Sequence, residues 1–134
     1  MRRSHTITLQ IDYAYDLAYR FLMEPRNFAD WAAVDKESYR PLDNGDWAGD
    51  LPFGFRHFRF TPANDFGVLD HAIFVPGETP FYTSMRLMPN EAGTELVFTV
   101  YQRPGTEDAL FASGVEWLRT DLLALKSLLE ARAQ

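Results

Sequence analysis

The chain of 134 residues contains no cysteine. That excludes a disulfide scaffold, a thiolate nucleophile and any zinc site built on sulfur. Histidine is scarce, with three residues and no His-x-His or His-x₃-His pair, so a metal centre is not expected. Basic residues are in deficit, 13 against 19 acidic, for a formal net charge of −6. They do not cluster beyond Arg2-Arg3. A field of that sign repels phosphate backbones and argues against nucleic-acid partners. No uncharged run approaches the roughly 18 residues of a membrane span. Alternation begins at Thr6-Ile7-Thr8-Leu9-Gln10-Ile11 with no preceding apolar stretch, so no leader peptide is expected. There is no Gly-x-Ser-x-Gly elbow and no glycine-rich phosphate loop. Carboxylates are numerous but gather in turns and exposed strand positions, so no acid/base pair stands out.

What is present is a globular composition, 46% hydrophobic and 24% charged, unusually rich in Phe (11 residues). One domain over residues 1–134, in a cytoplasmic protein without cofactor, is the simplest reading. A first strand is expected over about 4–11, with Ile7, Leu9 and Ile11 on one face. Ala14, Leu17, Ala18, Phe21 and Leu22 then follow helical spacing, with Asp12 as N-cap. Pro25 suits the first turn of a short second helix carrying Phe28 and Trp31. A weakly patterned strand over about 33–42 precedes Asn44-Gly45, a favoured two-residue hairpin turn. Further strands are read near 46–52, 54–61, 66–75, 81–88 and 94–102. Phe111, Val115, Leu118, Leu122, Leu125 and Leu129 form one stripe on a helix from Thr106, its N-cap, to Glu130, about 37 Å long. The stripe spans too few heptads for a coiled coil, and a whole sheet needs cover. The fold class is therefore α+β: a curved antiparallel sheet of about seven strands around a long C-terminal helix.

This order resembles the START/Bet v 1-like (SRPBCC) superfamily, the helix-grip fold, over essentially the whole chain. It is similar to small bacterial members grouped with polyketide cyclases/dehydrases. The residues carrying the likeness are Asn27-Phe28-Ala29-Asp30-Trp31, Phe60-Thr61-Pro62-Ala63-Asn64-Asp65-Phe66-Gly67-Val68-Leu69-Asp70-His71, Pro89-Asn90, Thr94-Glu95-Leu96-Val97-Phe98-Thr99 and Arg103-Pro104-Gly105. The resemblance implies a ligand cavity between the concave sheet face and the C-terminal helix. The superfamily includes lipid carriers, hormone receptors and cyclases, and these small members share no fixed catalytic motif. The site must therefore be argued from this sequence.

Alternation and turn length give a register. Short connections at Pro62–Asp65, Pro76–Pro80 and Pro89–Thr94 set Phe58 opposite Leu69, Arg56 opposite His71, His71 opposite Met85 and Met85 opposite Phe98. All apolar sets then share one face, on which His71 and Arg56 are the two polar side chains. They form either a polar patch that orients a ligand or a solvated pair near the cavity mouth. A slip by one would instead pair Arg56 with Asp70. On the outer face Asp70 is set across from Arg86, with His57 on its other side. Trp31 either lines the cavity entrance or plugs the core. Gly114 is read as permitting close helix–sheet packing, with room for ligand as the alternative. Trp117 is placed at the helix flank.

The expected ligand-contacting set is thus Trp31, Arg56, Phe58, Leu69, His71, Ile73, Met85, Phe98 and Leu118. The expected function is binding of a small hydrophobic or aromatic molecule, by a monomer or homodimer. The alternatives are a cyclase/dehydratase-like enzyme, with His71 as general acid/base and Arg56 stabilising an oxyanion, and a chaperone-like interaction module.

Overall fold

The architecture was obtained as a computed structural model, which describes residues 1–133. Strand β1 (Ser4–Ile11) leads into helix α1 (Tyr15–Leu22) and a 3₁₀ turn over Pro25–Asp30. Six strands follow: β2 (Arg40–Pro41), β3 (Trp47–Leu51), β4 (Gly54–Phe60), β5 (His71–Phe74), β6 (Tyr82–Asn90) and β7 (Gly93–Tyr101). Helix α2 (Asp108–Arg132) ends the chain. The seven-stranded antiparallel sheet has the order β1-β7-β6-β5-β4-β3-β2, so β2 to β7 form a meander and β1 joins its far edge.

The α+β helix-grip reading holds. Leu122, Leu125 and Leu129 of α2 are buried in one core with Ile7, Ile11, Leu87, Leu96 and Phe98 of the sheet. The first half of α2 is less covered. Val115 is buried and Phe111 and Leu118 are half-buried, but Leu110 and Trp117 are exposed.

Several local expectations are corrected. Asp12 does not cap α1. Ala14 occupies that position, and the Asp12 N–H donates to Glu130 Oε2 (2.8 Å). The cap residue of α2 is Glu107 rather than Thr106. The strand expected over 33–42 shrinks to Arg40–Pro41, because Asp35 and Ser38 build turns there. The Asn44-Gly45 turn forms, with Gly45 at φ +93, but inside a wider loop: Arg40 pairs with Ala48 and Pro41 with Trp47. Gly114 packs against nothing, since a Cβ there would meet open space.

The register is right between β6 and β7, where Met85 stands opposite Phe98 and Leu87 opposite Leu96. It is displaced elsewhere. Phe58 stands opposite Ile73 instead of Leu69, and Phe60 stands opposite His71. His71 stands opposite Thr83 instead of Met85. Both displacements are even, so each side chain keeps its face. Between β4 and β5 the cause is the Thr61–Asp70 connection, which is a knitted loop and not a tight turn. Asn64 holds it: its Oδ1 accepts from the N–H groups of Phe66 and Val68, and its Nδ2 donates to Pro62 O and Val68 O. Gly67, at φ +69, lies so close to the Leu87 carbonyl that a Cβ would collide with it.

Candidate functional site

The inner face of the sheet is where alternation sends its apolar residues, and Phe58, Leu69, Met85 and Phe98 are all buried there. At their centre lies Phe28, delivered by the 3₁₀ turn. Its ring centroid is 5.2 Å from Trp31, 5.6 Å from Phe58, 5.4 Å from Phe60 and 5.6 Å from His71. Trp31 is therefore a core plug. Tyr39 joins the same cluster and anchors it by donating from its hydroxyl to Pro25 O (2.6 Å). Burial pushes the Tyr39 phenol well above its ordinary pKa.

His71 is the buried titratable member of this face, 5% exposed. Its ring packs edge-on against Phe28 and Phe98 and tilted against Phe60. Nδ1 lies 3.1 Å from Leu69 O. A carbonyl only accepts, so Nδ1 carries the proton and Nε2 keeps its lone pair. Burial lowers the pKa of the imidazole, against smaller opposing effects of the Leu69 carbonyl and Asp70. The ring is thus neutral at pH 7, and no hydrogen bond to Nε2 is formed among the described residues. Chemically, Nε2 can accept one hydrogen bond from a hydroxyl, phenol or amide.

Arg56 is not opposite His71. It faces Gly49 near the tip of the β3–β4 hairpin, half-buried. Its Nη1 donates to Phe55 O (2.8 Å), and its guanidinium lies 5.0 Å from the Phe53 ring. The expected His71–Arg56 catalytic patch is therefore not assembled, and aromatic rings surround the histidine instead. Phe53, 57% exposed, stacks on Trp117 of α2, 51% exposed, with ring centroids 6.1 Å apart. This pair bridges hairpin and helix where α2 is least buried. Ile73 is half-buried nearby, and its carbonyl accepts from Arg103 Nη2 (2.7 Å).

On the outer face Asp70 and Arg86 pair as expected, with contacts of 2.8 and 3.0 Å. Asp70 Oδ1 also accepts the Met85 N–H (2.9 Å). His57 is not beside this pair, standing opposite Ala48 and Phe74. A second bidentate pair joins buried Asp46 to Arg59, both contacts 2.9 Å. It sits in an open surface hollow of about 460 Å³ between Asn44-Gly45 and Thr61-Pro62-Ala63. A smaller hollow of about 280 Å³ lies around Gln10, Thr94 and Lys126.

Sequence reasoning missed Phe60, Arg103, Tyr39 and Asp121 as contributors to this end of the molecule. Phe60 shares the parity of Phe58 and was legible once the loop was known. Asp121 flanks Leu122 on α2, and burial raises its carboxyl to about 6, offset in part by the Ala33 N–H.

No protein-family model and no curated protein matches the chain. Solved structures do. An uncharacterised protein from Bacillus thuringiensis superposes with TM-score 0.76 at 12% identity, covering 95% of this chain and 98% of its own. A START superfamily protein from Mycobacterium smegmatis gives 0.68 at 12%, over 96% and 97%. Ara h 8.0201 gives 0.70 at 8%, over 98% and 99%. At these identities the likeness shows the fold: START/Bet v 1-like. No described helix is long and apolar enough to cross a membrane.

Proposed function

On this START/Bet v 1-like frame, we propose that the protein binds a small hydrophobic or aromatic molecule between the inner sheet face and α2. The observation that carries the reading is His71: a neutral, buried imidazole ringed by Phe28, Phe60 and Phe98, with an acceptor nitrogen that no protein donor uses. A ligand donor gives that nitrogen a hydrogen bond in apolar surroundings, where such a bond is stronger than in water. Phe58, Leu69, Met85 and Phe98 of the sheet and Leu118 of α2 supply the apolar walls. The least covered side of this face is the first half of α2, where exposed Trp117 stacks on Phe53.

The test is paired titration of 1-naphthol and naphthalene into the wild type and His71→Phe. The aromatic replacement keeps volume and apolar contact. 1-Naphthol should bind the variant roughly tenfold or more weakly, the worth of one hydrogen bond in a desolvated site. Naphthalene should bind both alike. Equal affinity of 1-naphthol for the two proteins would reduce His71 to a core residue and remove the reading's anchor.

A further inference from the structure

The geometry points to an anionic head group on that ligand, a carboxylate held by Arg56 and Arg103 at the open end of the grip, with an aromatic or aliphatic body running inward. This inference rests on the proposed ligand site and names the chemical class it takes.

Arg3, Arg59, Arg86 and Arg119 each lie within 4.0 Å of a carboxylate. Arg56 and Arg103, like Arg2, Arg20, Arg26, Arg40 and Arg132, are in no such pair among the described residues; what sets these two apart is their place beside the inner face. Each spends a donor on a backbone carbonyl, Arg56 on Phe55 and Arg103 on Ile73. A guanidinium has five N–H donors in a planar fork, so most remain unused.

Both arginines are tied to one corner of the β4–β5 strand pair. Arg103 is fixed to the carbonyl of Ile73, Ile73 is the cross-strand partner of Phe58, and Arg56 shares the face of Phe58 two residues away. Burial lowers the pKa of Arg103 most, Glu78 partly restores it, and the Arg56 charge lowers it a little further. Glu78 thus already offsets part of the charge, and with Arg2 also on the Phe81 ring the corner holds three guanidiniums against that one carboxylate and stays net positive. The chain as a whole has the opposite sign, with a net charge of −6, so this corner is a local reversal of the field.

Aromatic planes surround the corner. Phe53 lies under Arg56 at 5.0 Å and stacks on Trp117. Phe81 carries Arg103 at 5.0 Å and Arg2 at 4.8 Å. Cations above apolar rings, next to the apolar inner face, match an amphipathic anion. A carboxylate takes two parallel N–H bonds from a guanidinium fork, a stronger contact than a neutral head can make.

The test uses an isosteric pair, naphthalene-1-acetate and naphthalene-1-acetamide, titrated calorimetrically with 1-naphthol as reference. The acetate should bind the wild type at least tenfold more tightly than the acetamide, with affinity falling as salt rises. Arg56→Met should remove most of that preference, read as the ratio of the two affinities within the same protein. Arg103→Gln, which keeps a donor for the Ile73 carbonyl, should act likewise, with its melting temperature recorded to show that it folds. If 1-naphthol binds and the acetate shows no advantage over the acetamide, the anionic class is wrong and the ligand site stands. An advantage that survives in both variants also overturns the assignment. If none of the three compounds binds, the ligand site itself fails and this inference falls with it.

Discussion

Phe28 is the residue on which the interior most depends, and Phe28→Ala is the sharpest perturbation of it. The ring is 7% exposed and has Trp31, Tyr39, Phe58, Phe60 and His71 around it at centroid distances of 5.2 to 6.4 Å. Truncating a buried Phe costs about 3–5 kcal/mol through lost transfer energy and the cavity left behind. Ring–ring contacts contribute about 0.5–1.5 kcal/mol more per pair, not additively, so the upper end is expected here, about 4–5 kcal/mol. A chain of this length carries about 7–20 kcal/mol of total stability, so the variant still folds. Equilibrium urea unfolding followed by circular dichroism measures the loss, and Phe28→Leu, at about 1–2 kcal/mol, serves as the volume-conserving control. A loss below about 1 kcal/mol for Phe28→Ala would show that the cluster does not organise the interior.

Other predictions separate the faces and the charges. Met85→Ala should cost about 2–5 kcal/mol, whereas Arg86→Ala should cost under about 1 kcal/mol because its pair with Asp70 is largely solvated; urea midpoints in the reverse order would place the wrong face inward. Asp121 has a folded pKa of about 6, above its ordinary 3.8, so its ionised form opposes folding at neutral pH and the penalty disappears once both states are protonated. Asp121→Asn should therefore melt higher than the wild type at pH 8, with the gap closing below pH 3.8; a gap that does not depend on pH would contradict this.

The readability of the site from sequence divides along a physical line. Alternation reports which face a side chain occupies, so Phe58, Leu69, His71, Met85 and Phe98 were all assigned to the inner face, where they lie. Parity does not report which residue is opposite. That depends on connection length, and the β6–β7 turn is short enough to pin it; there Asn90 pairs with Gly93 and Glu91 takes φ +51. The Thr61–Asp70 loop is held by the side chain of Asn64, a bond network without periodicity, so Arg56 was placed beside His71 when Phe60 belongs there. The long-helix stripe was legible because Leu122, Leu125 and Leu129 repeat along one face. The looser first half of α2 was not, because Phe111 and Val115 continue the same pattern while Gly114 and Trp117 face outward. The central role of Phe28 was hidden for a different reason. A 3₁₀ turn has no amphipathic repeat long enough to show which ring it turns inward.

The central claim is that a small apolar or aromatic molecule lies between the sheet and α2, and the most direct measurement is where a bound probe touches. In protein carrying ¹³C-methyl methionine, Met85 reports the inner face and Met88, on the outer face, reports the solvent side. Titration with 1-naphthol should shift the Met85 methyl resonance, give intermolecular Overhauser contacts to it, and leave Met88 in place. Contacts confined to Met88, or a saturable binding signal that never moves Met85, would contradict the account.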